Sequence, residues 1–187
     1  MSKDLSRPLL MVDIDGVISL FGAAPGPQGS PVAALGQPSV RRATADGSFH
    51  SIEGIPHFLS STAAGHLLEL SSLFDLVWCS GWEEKANEHL PHLLGLPATL
   101  PFLRFSDGVR GTRVTNGHWK LEAIETFAAG RPLAWIDDAL SEACHEWAAA
   151  RPVPTLLVQT APELGLTSRE AQLLADWARA LQRAQAD

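Results

Sequence analysis

The chain has no tyrosine, only two cysteines and two methionines in 187 residues, and no apolar run long enough to cross a membrane. Two thiols, Cys79 and Cys144, cannot build a disulfide framework, and their wide separation matches no metal-ligand spacing. They read as reduced, buried thiols. The apolar stretch from Leu9 to Ala24 is interrupted by Asp13 and Asp15, which a signal-peptide core does not tolerate. A cytoplasmic protein with no membrane association is the expectation. Positive charge is also scarce: the net charge of −7 speaks against a broad electrostatic footprint for nucleic acid, although it leaves room for a local basic pocket.

Short apolar runs are present instead, at Leu9–Val12, Leu76–Cys79, Leu100–Phe105, Leu133–Ile136 and Thr155–Val158. Continuous runs of this length suit strands covered on both faces. Helical spacing separates them: 61–73 behind Ser60, Ser61 and Thr62 as caps, 82–90 before Pro91, 118–129 before Gly130, and 139–149 with Leu140, Ala143, Cys144 and Trp147 on one stripe. A final helix opens with the capping box Thr167-Ser168-Arg169-Glu170. Strands alternating with helices predict a single α/β domain over 1–187. The expected frame is a Rossmann-like three-layer sandwich, with a mostly parallel five-stranded sheet and helices on both faces.

Residues 17–57 do not fit that alternation. They are rich in Pro and Gly, carry no helical pattern, and read as a loop plus a hairpin inserted after the first strand. The hairpin is expected over Val40–Ile52, with its tight turn at Asp46-Gly47.

Chemistry concentrates at the ends of the predicted strands. Asp13-Ile14-Asp15-Gly16-Val17 follows the first, where ligands of open α/β sheets bind and where Gly16 eases the turn. Ile136-Asp137-Asp138 ends the fourth. Adjacent acids also suit helix capping, and Asp138 fits an N-cap. Converging carboxylates need a hard divalent cation between them, and oxygen ligands with retained waters suit Mg²⁺. Cys79-Ser80-Gly81 ends the second strand, where a hydroxyl and free N–H groups at a helix start can hold a phosphate oxygen. Lys120 is placed to reach the same crevice. Trp82 either stacks a base or sugar or anchors the first turn of its helix. Arg41, Arg42, Arg104, Arg110 and Arg113 are candidate contacts for further phosphates, or solvated surface charges.

The ordered set DIDGV, VWCSG, Lys120 within HWK, and WIDD resembles the haloacid dehalogenase-like (HAD) superfamily, phosphatase type, over residues 8–158. The resemblance implies an aspartyl-phosphate mechanism, with Asp13 as nucleophile and Asp15 as general acid/base. It implies that Ser80 binds the phosphoryl oxygens, with Gly16, Gly81 and Trp82 toward the substrate, and that Lys120 steadies Asp13. Mg²⁺ would be held by Asp13, the Asp15 backbone carbonyl and the pair Asp137 and Asp138, either of which can be the direct ligand. Neither interval that carries caps in this superfamily holds a helical cap domain here, which suits a large phosphorylated substrate such as a nucleic-acid end. Small metabolites are the competing substrates, and a catalytically silent binding module is the competing class. A cysteine phosphatase is disfavoured because Lys85 stands where its signature needs Arg.

Overall fold

The computed structural model describes residues 7–21, 46–105 and 119–186. Four strands, β1 (Leu9–Val12), β5 (Asp75–Trp78), β6 (Leu133–Asp137) and β7 (Thr155–Gln159), form a parallel sheet in the order β5-β1-β6-β7. β1 is central, and its residues are completely or almost completely buried, as an uninterrupted apolar run requires. Its register aligns Val12 with Trp78 on one side and Ile136 on the other. The carboxyl ends of the three strands therefore lie level.

Strand alternation sends side chains into two apolar clusters. Leu10, Val12, Leu76, Trp78, Ala134 and Ile136 pack with α1 (Ser61–Leu70), α2 (Lys85–Leu94) and α5 (Ser168–Ala186). Leu9, Met11, Val77, Cys79, Leu133 and Trp135 pack with α3 (Leu121–Ala128) and α4 (Glu142–Ala150). Both cysteines are buried and form no disulfide. The expected caps are present at α1, where Ser60 Oγ accepts from Ala63 N at 3.1 Å, and at α5, where Thr167 N donates to Glu170 Oε2 at 3.2 Å. Among the described residues no helix is long and apolar enough to cross a membrane.

The expected fifth strand, Leu100–Phe105, is a single bridge instead. Phe102 pairs with Trp78, held by Trp78 N to Pro101 O at 2.8 Å and Leu103 N to Trp78 O at 2.9 Å. Pro101 has no N–H to extend the ladder, so the apolar run gains burial without becoming a strand.

The hairpin also differs from its expected place. β3 (Gly47–Ile52) and β4 (Ile55–Ser60) turn at Glu53-Gly54, and β2 (Ser19–Leu20) completes a three-stranded antiparallel sheet in the order β2-β4-β3. Glu53 and Gly54 have φ of 51° and 81°, the two positive values that a two-residue type I′ loop demands. Asp46-Gly47 begins a strand rather than a turn. A Cβ at Gly47 would meet Leu59 O at 2.3 Å, so that glycine serves close strand approach. Val40–Ala45 lie outside the described residues.

Pro91 does not end its helix: α2 continues to Leu94 and closes on Gly95 in the left-handed region. In α3 the left-handed cap is Ala129, one residue before Gly130.

Candidate functional site

The chain runs from β1 to β5 on one side and later returns to β6 on the other side of β1. This order creates a switch point between β1 and β6, and a crevice at their carboxyl ends. Asp13 follows β1 and Asp137 ends β6, so both acids open into that crevice. Their strands are tied at this level by Asp13 N donating to Ile136 O at 3.0 Å.

Asp13 is only 7% exposed, Asp137 is fully buried and Asp138 is half-buried. Carboxylate oxygens of the three lie within 4.8 Å of one another. Lys120, 3% exposed and immediately before α3, places Nζ 2.8 Å from Asp13 Oδ2 and 2.7 Å from Asp137 Oδ2. The Trp119 ring supports the same ammonium from 5.4 Å and itself packs edge-on against Phe105. The second oxygens of the two acids are also occupied. Asp13 Oδ1 accepts from Ile14 N at 2.8 Å, and Asp137 Oδ1 accepts from Ala139 N at 2.9 Å.

Electrostatics follow from this crowding. Burial, with the Asp137 charge adding to it, raises the Asp13 carboxyl to about 7 against the opposing pull of Lys120. Burial and Asp137 likewise raise Asp138. Burial works against the charge on Lys120, but the neighbouring acids outweigh it and hold that ammonium above its ordinary range. Among the described residues, one buried cation thus faces three carboxylates. An all-oxygen donor set with surplus negative charge fits a hard divalent cation that keeps some of its waters.

The expected site residues do not all enter this cluster. The Asp15 carboxylate is not one of the three clustered acids, although its charge acts on Asp138, and its Oδ2 accepts from Trp82 Nε1 at 3.0 Å. Trp82 was expected toward the substrate. Here its ring also meets His57 edge-on, with centroids 4.9 Å apart. Gly16, at φ 74°, lies against Asp138, and a Cβ there would stand 2.6 Å from that side chain's Cβ and Cγ.

Ser80 is buried at the end of β5, beside β1, but it does not open α2. A turn over 81–84 intervenes because Glu83 sits in the left-handed region at φ 49°, and its Oε1 accepts from Phe105 N at 2.9 Å. Gly81 is exposed, with Trp119 3.8 Å from the position of an added Cβ. Asp138 is not an N-cap either, since Ser141 precedes α4. Within this pair it is Asp137 that caps the local turn, through the bond from Ala139 N. Cys79 points into the α3/α4 cluster, where burial pushes its thiol up and leaves no thiolate at neutral pH.

Arg104 pairs with Glu84 and lies over the Phe102 ring, on the outside of the fold. Arg41, Arg42, Arg110 and Arg113 lie outside the described residues. Three residues near the site carry no motif. Thr160 Oγ1 donates to Gly16 O at 2.8 Å, Ser19 Oγ bonds His57 Nδ1 at 2.9 Å, and His57 stands behind Trp82. Only the fold brings them near; Thr160 and Gly16 are 144 positions apart in sequence.

No family model matches the chain. No curated protein matches it significantly.

Proposed function

We propose that this chain is a Mg²⁺-dependent phosphomonoester hydrolase that works through a phosphorylated Asp13, a member of the HAD superfamily on a three-layer α/β frame. The observation that carries the reading is the meeting of Asp13, Asp137, Asp138 and Lys120 at the β1/β6 switch point. An acidic turn or a helix cap gathers one or two carboxylates at the surface. Neither buries them around a shared lysine.

Asp13, Asp137 and Asp138 would hold the Mg²⁺. When bound, the cation neutralises the carboxylates and the phosphoryl oxygens, which lets an anionic nucleophile approach an anionic substrate. An Asp13 oxygen attacks phosphorus, as carboxylate nucleophiles do in aspartyl-phosphate enzymes. The hydrogen bond from Ile14 N and the ion pair with Lys120 set the orientation of that carboxyl group. Asp15 gives its proton to the departing oxygen and later takes one from the water that attacks the phosphorylated Asp13. Ser80 and the Gly81 N–H, at the neighbouring strand end, are the donors for the phosphoryl oxygens.

Among the described residues, the interval between β1 and β5 holds the β2–β4 sheet and then α1, and the interval after β5 holds α2 as its helix. No helical cap domain stands among the described residues of these intervals, and an open site suits a phosphorylated nucleic-acid end or another large substrate.

The test is phosphate release from p-nitrophenyl phosphate, phosphorylated metabolites and 3′- or 5′-phosphorylated oligonucleotides, with Mg²⁺ and with EDTA. Metal-dependent release is expected, strongest on the oligonucleotides. Selective release from metabolites would reassign the substrate. No metal-dependent release from any of them would leave a catalytically silent binding module.

A further inference from the structure

We infer that Trp82 is a positioning residue that orients Asp15 as the acid of the proposed hydrolase, and so sustains turnover of alkyl phosphates, the class that includes nucleic-acid ends, whose leaving oxygens need a proton. This inference rests on the phosphohydrolase reading. Its basis is a closed circuit of contacts. Trp82 Nε1 donates to Asp15 Oδ2 at 3.0 Å, and the Trp82 ring lies edge-on to His57 at 4.9 Å. His57 Nδ1 bonds Ser19 Oγ at 2.9 Å. Ser19 returns to the start, because it bridges Asp15 and its carbonyl accepts from Gly16 N at 2.8 Å. The circuit joins the loop after β1, the turn after β5 and the antiparallel sheet.

The chemistry of the indole decides what the circuit does. Its N–H donates and cannot accept. Oδ2 is therefore the acceptor oxygen of Asp15, and a proton carried by this side chain resides on Oδ1. The same bond engages Oδ2 and leaves Oδ1 as the oxygen for proton transfer. Trp82 is itself held in place. The turn that carries it is locked by Glu83 in the left-handed region and by the bond from Phe105 N to Glu83 Oε1 at 2.9 Å.

In the first step an Asp13 oxygen forms a bond to phosphorus and the bond from phosphorus to the alkyl oxygen breaks. That oxygen takes the proton from Asp15 Oδ1 and leaves as the alcohol, with Asp15 now a carboxylate. Water then attacks phosphorus and passes a proton to Asp15. Inorganic phosphate leaves, and Asp13 returns as a carboxylate. A p-nitrophenolate departs without protonation, so loss of the acid bears on the first step only for alkyl leaving groups.

The experiment compares kcat/KM, which reads the path to the phosphorylated enzyme, for p-nitrophenyl phosphate and an alkyl phosphate in wild type and Trp82→Phe. The phenyl ring keeps an aromatic face toward His57 and removes the N–H. The alkyl phosphate is expected to lose about 10-fold or more, within the range of general acid catalysis, while p-nitrophenyl phosphate stays within about twofold. His57→Ala keeps the indole but removes its support. It should show the same selectivity with a loss of about threefold, and it carries the test if Trp82→Phe does not fold. Equal losses on both substrates, or no loss on either, overturn the positioning role. A wild-type protein that hydrolyses neither of these substrates nor a phosphorylated oligonucleotide overturns the phosphohydrolase reading, and this inference with it.

Discussion

Gly16 and Asp138 share one space: the Cβ that Gly16 lacks would stand 2.6 Å from the Asp138 Cβ. The glycine is needed twice, for its φ of 74° and for the approach of a carboxylate from the end of another strand. Gly16→Ala should lower stability by about 2 kcal/mol through left-handed strain and displacement of Asp138. It should also weaken Mg²⁺ binding by about 10-fold or more, as misplaced support for a ligand does. Thermal unfolding and titration calorimetry measure the two effects. An unchanged Mg²⁺ affinity would remove Asp138 from the proposed metal site.

Lys120 offsets part of the negative charge of Asp13 and Asp137 deep in the fold. Lys120→Met should cost about 3 kcal/mol in urea unfolding without metal, because two buried acids lose their counter-charge. Activity should fall by at least about 100-fold, since positioned cations supply much of the stabilisation in phosphoryl transfer. A variant as stable as wild type would show that the lysine bears no such load.

Asp13 provides a pH test. Its carboxyl rises from 3.8 to about 7 in the metal-free fold, chiefly through burial. The folded state therefore holds a proton that the unfolded chain has released between about pH 4 and pH 7, and stability falls as pH rises through that window. The slope approaches about 1.4 kcal/mol per pH unit for one proton. Asp13→Asn should lack this component when both proteins are unfolded in EDTA across the range. Mg²⁺ competes with that proton, so it should raise the Tm of wild type more at pH 7.5 than at pH 5.5. Equal Mg²⁺ effects at the two pH values would contradict the assignment of Asp13 as a ligand.

Thr160 ties the loop after β1 to the end of β7 through its hydrogen bond to Gly16 O. Thr160→Val keeps the shape and leaves a buried carbonyl short of a donor. The expected cost is about 1–2 kcal/mol, with kcat reduced several-fold and KM little changed. Chemical denaturation and steady-state kinetics separate the two readouts. A selective rise in KM would instead place Thr160 at the substrate.

The α/β alternation and the acidic strand ends were legible because each depends on a few neighbouring residues. Apolar runs mark the parallel strands, and Asp13, Asp137 and Asp138 stand where those runs stop. Other features depended on competition that local pattern does not resolve. Leu100–Phe105 has the composition of a strand, but Pro101 denies it a ladder. Asp46-Gly47 resembles a hairpin turn more than Glu53-Gly54 does, yet cross-strand packing of Gly47 on Leu59 places the turn at the latter. Glu83 in the left-handed region separates Ser80 from α2, a backbone state that its residue type does not announce. The bond from Trp82 to Asp15 spans 67 positions, and only the packing of the 81–84 turn beside the β1 loop creates it.

The central claim is that Asp13 is the nucleophile of a Mg²⁺-dependent phosphohydrolase. Its most direct test is acid quenching during turnover of a phosphomonoester with Mg²⁺, followed by peptide mass spectrometry for an acyl phosphate. The account predicts a phosphoryl group on the peptide that carries Asp13, labile to hydroxylamine. It also predicts that Asp13→Asn shows neither the adduct nor measurable turnover. Wild-type rates in that variant, or an adduct on another side chain, would contradict it.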